Sequence, residues 1–373
     1  MLLTWQKLRW VTGLAGLSLS LIGNTALALD PPQTAPLHVN GITNYSAASS
    51  AAGLCVRKMY VYSKLGAASS GNYKPVMLLH AGGWVDGPEQ QATANLSNGP
   101  TVLADVGTGK TLTQELVDRG YVVFIPYYRL INNTNDPNTT CRSSSITAED
   151  IEKDVKDALI WAHSHRLTYS AQNHAKVRVM GFSAGAHLAL SLAFSSAVQS
   201  IIERVVSFAP PSNFTDLTDP AYYTYLQNLG HPTVNGQIYF NAFAYTGGSS
   251  ATQIARINRN SFHDLIANNP SLRNSLPPIG FLHGFQDATV PVQQSVDLCL
   301  KLGGYTSIPQ APVASSNDYA VLVSCGSSNK FFFDYHHYLD HGAQCQNIPS
   351  PLTCTGAQNQ FNNSMQTTLN WLN

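Results

Sequence analysis

Residues 176 to 187 read Lys176-Val-Arg-Val-Met-Gly-Phe-Ser183-Ala-Gly-Ala-His187. Five of these letters, Gly181-Phe182-Ser183-Ala184-Gly185, fit G-x-S-x-G. The pattern alone is permissive, because glycine and serine are common residues. Its surroundings narrow it. An apolar strand-like run, 176–181, leads directly into it, and the small-residue run A-H-L-A-L-S-L-A-F leads directly out. A sharp strand-to-helix turn requires this chemistry, since the serine backbone is strained there and side chains at the flanking positions would collide with strand or helix. The helix N-terminus would then lie beneath Ser183, where unpaired N–H groups and the helix dipole favour developing negative charge.

A serine hydroxyl attacks only when a base takes its proton, and a third group must orient that base. For a turn of this kind the expected chain order is Ser, acid, His. His283-Gly-Phe-Gln-Asp287-Ala-Thr-Val-Pro291 follows the strand-like run 278–283 and sets Asp287 on the loop beyond it. The last strand-like run, 330–336, leads into a loop with His336, His337 and His341. Of the three, His341 is the expected base, being past the strand, beside Gly342 and ahead of the final helix. His187 falls one turn into the helix after Ser183, away from the acid, and reads as a structural histidine.

Acyl transfer also needs fixed donors for an oxyanion. The run Leu78-Leu-His-Ala-Gly82-Gly83-Trp84 ends a strand in consecutive glycines, whose backbone N–H groups can approach a ligand closely. Gly82 and Gly83, with the N–H of Ala184, make the expected hole.

Along the chain, strand-like runs at 57–63, 75–80, 121–127, 176–181, 204–209, 278–283 and 330–336 alternate with helical patterns at 110–119, 148–164, 184–197, 291–302 and 362–372. In 148–164, Ile151, Val155, Ala158, Leu159 and Ala162 share one face. This alternation predicts an α/β fold with a mostly parallel sheet covered by helices on both faces. Two segments interrupt it. Residues 211–260, rich in Tyr, Phe, Asn and Thr, read as an insertion, and 303–329 as a second, loop-like one.

Residues 1–28 read as a secretory leader: Lys7 and Arg9, an apolar run from Val11 to Ile22, then Ala26-Leu27-Ala28 as the cleavage site. That apolar run is too short for the ~20 residues that cross a bilayer, so no stable membrane anchor is expected. The expected location is secreted or periplasmic, with residues 29–373 as the functional domain. Six cysteines follow the leader, and in an oxidising compartment an even number favours disulfides. Fifteen connectivities are possible. The short loop Cys345–Cys354 is the first choice, leaving Cys55–Cys141 and Cys299–Cys325. No C-x-x-C or Cys/His ligand spacing occurs, so no metal is expected. The formal net charge is zero with 11% charged residues, which argues against nucleic acid or an anionic membrane as partner. Val106-Gly-Thr-Gly-Lys110-Thr111 imitates a phosphate-binding loop, but Ala104 stands where that motif needs glycine.

Taken together, H-A-G-G-W, Y-Y-R-L (127–130), D-V-K-D-A-L-I-W-A-H (154–163), G-F-S-A-G-A-H-L-A, H-G-F-Q-D-A-T-V-P and D-H-G resemble, in this order, the secreted α/β-hydrolase esterases. That carboxylesterase and lipase group includes hormone-sensitive-lipase-like and feruloyl-esterase-like enzymes. The resemblance implies an α/β-hydrolase fold with a cap-like insertion at 211–260. It implies Ser183 as nucleophile, Asp287 as acid, His341 as base, and Gly82, Gly83 and Ala184 as oxyanion hole. The implied substrate is a small-molecule ester, and no cofactor is implied. The chain departs from the family pattern at Ala81, where glycine is usual, and at Phe182, where an acidic residue is common. A serine exopeptidase of the prolyl-oligopeptidase kind uses the same triad order but normally carries an N-terminal propeller, for which the chain before residue 55 is too short. A binding module on the same fold is opposed by the completeness of the triad.

Overall fold

The computed structural model describes residues 37–50, 53–64, 73–85, 112–131, 141, 146–169, 173–228, 230–234, 236–247, 251–304, 320–325, 330–341 and 352–373. Among the described residues nine strands form one sheet: β1 (Leu37–Ser50), β2 (Gly53–Lys64), β3 (Lys74–Leu79), β4 (Tyr121–Pro126), β5 (Val177–Phe182), β6 (Ile202–Phe208), β7 (Ile279–Gly284), β8 (Ala320–Ser324) and β9 (Phe331–His336). Their order across the sheet is β1-β2-β4-β3-β5-β6-β7-β9-β8. From β4 to β9 the pairing is parallel, whereas β1, β2 and β8 run antiparallel at the two edges.

Helices fill the crossovers. They are α1 (Leu112–Asp118), α2 (Ala148–His165) and α3 (Ala184–Phe194), then α4 (Phe214–Leu217), α5 (Pro220–Asn228), α6 (Gln237–Thr246), α7 (Ala251–Arg259), α8 (Phe262–Asn268) and α9 (Leu272–Ser275) between β6 and β7, and finally α10 (Gln293–Gly303) and α11 (Cys354–Leu372). Strand alternation divides the core into two layers. In β5, Val177 and Val179 pack with Ile151, Val155, Leu188 and Leu298 of α2, α3 and α10, while Met180 and Phe182 pack with Leu116 of α1 and Phe361 and Met365 of α11. A strand covered on both faces can be apolar throughout, which is why β5 lacks a polar face.

α2 begins on a capping box, Thr147 with Asp150. Its predicted face, Ile151, Val155, Ala158, Leu159 and Ala162, is fully buried. On the same helix Asp154, also fully buried, accepts from the Arg129 backbone N (3.0 Å) and side-chain Nε (2.8 Å) and pairs with Arg57 of β2. Beside it the Tyr128 ring stacks on His80 at 4.1 Å and its hydroxyl donates to His80 O (2.8 Å). The blocks around Y-Y-R-L and D-V-K-D thus brace β2, α2 and the end of β3.

All seven strand-like runs of the sequence are strands. The expectation of a loop over 303–329 needs correction, because Ala320-Val-Leu-Val-Ser324 pairs with β9 as the sheet's edge. β1 is a further strand, paired along its length with β2. The described part of 211–260 carries the helices α4 to α7, and α8 and α9 continue the excursion to Ser275. Cys55–Cys141 and Cys299–Cys325 are disulfides. Cys354 is also disulfide-bonded, and Cys345 lies outside the described residues, as do the leader and 106–111. No helix among the described residues is long and apolar enough to cross a membrane.

Candidate active site

β3 lies between β4 and β5, so the chain leaves it in one direction and returns on its other side. Such a switch point opens a crevice at the C-terminal strand ends. Leu79 pairs with Gly181 there, which sets the loop after β3 beside the turn after β5.

The turn is built by close approach. Ser183 has φ 51 and ψ −117, a conformation L-residues rarely adopt. A Cβ on Gly181 would lie 2.1 Å from Gly185 O, and one on Gly185 would lie 2.4 Å from both Leu79 O and His80 O. The backbone N of Ser183 donates to Phe208 O (2.9 Å), and Ser183 O accepts from His187 N (3.0 Å) as α3 begins. Around α3, every residue from Ala184 to Leu190 is buried.

The loop after β3 carries three successive positive φ values: Gly82 122, Gly83 58 and Trp84 62. Gly82 O accepts from Val85 N (3.0 Å) and Trp84 O from Ile131 N (2.8 Å). A Cβ on Gly83 would meet Asn241 Nδ2 of α6 at 2.2 Å, so the helical excursion lies directly against this loop.

On the other side of β6, Gly284 of β7 pairs with His336 of β9, bringing the two following loops together. His341 Nδ1 lies 2.7 Å from Asp287 Oδ2. The other carboxylate oxygen accepts from Thr289 N and Val290 N, both at 2.8 Å. Burial alone would raise the Asp287 pKa. The His341 charge and the hydrogen bonds of His283 and His341 outweigh burial and hold it well below the usual carboxylate range. Burial likewise opposes charge on His341, but the Asp287 charge and hydrogen bond, with Asp340 adding to them, raise its pKa above the ordinary imidazole value.

A second histidine reaches the same acid. His283 Nε2 lies 3.1 Å from Asp287 Oδ2 and 2.9 Å from Val290 O, both acceptors, so Nε2 carries the proton. Its Nδ1 then accepts from Ser295 Oγ (2.8 Å). His283 stood in the quoted H-G-F-Q-D block without a role. Its spacing of four residues from Asp287 was the available signal.

His336 lines the same cavity as His341, and His337 packs on Tyr335. His336 ends β9, buried against the Phe361 ring (5.4 Å), and burial lowers its pKa. His337 is buried edge-on to Tyr335. A cavity beside His341 is walled by Phe182, Phe208, Leu339, Asp340 and Phe361, so the residue preceding Ser183 and the histidine face the same space. Phe182 and Phe208 stack at 4.3 Å, filling with apolar surface the position where the resembled family often has an acid. Among the described residues, no group of three or more His, Cys, Asp or Glu could hold a metal ion.

The model of the BD-FAE family matches residues 61–302. No curated protein matches the chain. Among solved structures the chain is similar to an inhibited esterase B from Lactobacillus rhamnosis, at 16% identity and a TM-score of 0.52, over 91% of this chain and 88% of that one. It is also similar to fungal esterases from Rhizomucor miehei, at 15% identity and a TM-score of 0.52, over 90% and 85% of the two chains. These likenesses show the α/β-hydrolase fold.

Proposed function

Since this chain belongs to the BD-FAE family of esterase-like α/β-hydrolases, we propose that it cleaves small or medium acyl or aryl carboxylic esters through an acyl-enzyme on Ser183. The observation that supports the reading most is the 2.7 Å contact of His341 Nδ1 with Asp287 Oδ2 on loops next to the strained turn that carries Ser183.

With Nδ1–H donated to Asp287, the neutral imidazole keeps its lone pair on Nε2. That nitrogen takes the Ser183 proton as Oγ attacks the ester carbonyl carbon. The carbonyl electron pair moves onto oxygen, where the N–H groups of Gly82, Gly83 and Ala184 receive the charge. Collapse expels the alcohol, which takes the proton from His341. Water then repeats the sequence on the acyl-enzyme, giving the acid and free Ser183. Apart from the ester and one water, every step uses side chains and backbone of this chain, and Asp287 remains ionised throughout. The helical excursion from α4 to α9, touching the loop after β3 through Asn241, serves as the cap over the acyl or aryl group. The disulfides fit an oxidising location, secreted or periplasmic.

The test pairs the mature chain with Ser183→Ala on nitrophenyl esters of graded acyl length and on aminoacyl-nitroanilides. Ser183-dependent ester turnover is expected. No Ser183-dependent turnover of any ester overturns the reading, and faster turnover of the anilides reassigns the chain to peptide substrates.

A further inference from the structure

One buried titratable group takes no part in that mechanism. His187 is wholly buried on α3, one turn after Ser183. Trp84, wholly buried at the end of the glycine loop, donates from Nε1 to His187 Nδ1 at 3.3 Å. His187 Nε2 lies 2.8 Å from Asn260 Oδ1. Asn260 Nδ2 in turn donates to Glu152 Oε1 of α2 at 3.2 Å, the same oxygen that accepts from the Tyr245 hydroxyl of α6 at 3.2 Å.

The direction of this chain is fixed by chemistry. Indole has only a donor, so Nδ1 of His187 must carry a lone pair and Nε2 the proton. Nε2 therefore donates to the Asn260 carbonyl, which turns the Asn260 amide nitrogen toward the Glu152 carboxylate. Each member has one orientation. Burial lowers the His187 pKa to about 3, against the raising effect of the Asn260 hydrogen bond, so the ring keeps this single neutral form at working pH.

The Trp84 ring is also enclosed by aromatic faces: His187 edge-on at 5.3 Å, Tyr245 at 4.8 Å and Phe214 at 5.5 Å. Its backbone has φ 62, directly after Gly82 and Gly83, so whatever holds the indole also holds the two preceding peptide units. Apolar enclosure alone would accept a phenylalanine at either position. The paired hydrogen bonds add a direction to it.

We propose that His187 is a positioning residue for the oxyanion loop, fixing Trp84, and with it the N–H groups of Gly82 and Gly83, through a buried hydrogen-bond chain reaching Asn260 and Glu152. The inference rests on the esterase reading above, since it takes those N–H groups as the oxyanion donors. Small displacements of such groups can cost about a hundredfold in rate.

The experiment starts from wild-type protein with demonstrated Ser183-dependent turnover of nitrophenyl butyrate; absence of that turnover would defeat the esterase reading rather than this one. His187→Phe and Trp84→Phe each remove the contact while keeping a ring. For each, kcat/KM is expected to fall about tenfold to a hundredfold, and affinity for a trifluoromethyl ketone, which forms the tetrahedral oxyanion on serine, to fall in parallel. The acid limb of the pH profile should stay in place, because His341 and Asp287 are untouched. The double variant should be no worse than the poorer single. Should His187→Phe fail to fold, two amides replace it. His187→Asn sets an oxygen near the Nδ1 position, facing Trp84, while His187→Gln sets a nitrogen near Nε2, facing Asn260. Asn is expected to retain more activity than Gln. The proposal is overturned if Trp84→Phe keeps both rate and ketone affinity within twofold of wild type, if Gln outperforms Asn, or if the acid limb moves.

Discussion

The two halves of the site are held by different forces. Around Asp287 and His341, position is set by charge and short polar contacts: one carboxylate gathers two histidines and two backbone N–H groups. Around Ser183 and Gly82–Trp84, position is set first by exclusion, with the buried Trp84–His187 hydrogen bond adding direction to it. Glycines stand where a single Cβ would strike backbone oxygen, four backbone φ values are positive, and a buried aromatic cluster closes the space behind. The first half should respond to pH and to isosteric polar changes. The second should respond most to added or removed atoms, and to polar changes only along the Trp84–His187 chain.

Replacing His341 by Ala is the severest test of that division, with kcat expected to fall about 10⁶-fold, as where nucleophile and base act as a unit. His336→Ala, at a ring packed on Phe361, and His337→Ala, at a ring edge-on to Tyr335, should stay within about tenfold per folded molecule on the same unit-based reasoning. Equal losses for His337 and His341 in a nitrophenyl ester assay would break the assignment of the base.

Asp287→Asn keeps the shape and removes the charge, and kcat should drop about 10⁴-fold. The sign of the accompanying pH effect follows from the raised His341 pKa. The base must be neutral, so wild-type kcat/KM falls as pH drops through a value above the ordinary imidazole pKa. Without the carboxylate that value moves down, and the acid limb should move with it. A limb that stays fixed would mean another group titrates there.

On the steric side, Gly185→Ala should lower activity about 10²- to 10³-fold, the scale of a lost oxyanion donor, because the new Cβ must push α3 away from the Leu79 and His80 carbonyls. The pH profile of the surviving activity should be unchanged. A shifted acid limb with normal kcat would show that the two halves are not separable.

The mildest effect lies outside both halves. Asp297 of α10 is buried, and burial raises its pKa to about 7. It binds its proton more tightly folded than unfolded, so stability is greatest below the unfolded carboxyl pKa of about 4 and declines as pH rises toward 7. Asp297→Asn removes that decline. Calorimetry at pH 8 should show Tm raised by about 2–4 °C, with little change at pH 4. Ester turnover should be unaffected.

The same division explains how much could be read from the letters. The steric half announces itself locally: strand, G-x-S-x-G and a small-residue helix are contiguous, and each glycine has a reason within a few residues or on the neighbouring strand. The seven strands were legible for a related reason, since burial on both faces leaves them rich in β-branched and aromatic residues. What stayed hidden depends on long-range pairing. β1 contains Gly41 and several Asn and Ser residues and becomes a strand through its partnership with β2. β8 is five residues long between stretches of polar residues, although Val321 and Val323 were a signal. Of the helices from α4 to α9, α5 and α6 carry only weak helical periodicity and α4 and α9 span four residues each, so the burial of Phe214, Tyr222 and Tyr245 outweighs their weak propensity. His283 was visible but unassigned because its role is a contact to a carboxylate oxygen. His187 could be read as structural, while its partner Asn260 is 73 residues away.

Trp84 has one more consequence. An indole packed without water emits at shorter wavelength than a wet one, and this indole is attached to the loop after β3. The chain therefore carries a built-in fluorophore at the proposed reaction centre. In a chain beginning at residue 29, Trp161 and Trp371, both partly buried, contribute a background that substitution by Phe can remove. Opening of the loop would appear as a red shift of the remaining emission, recorded on unlabelled protein in the time of a stopped-flow trace.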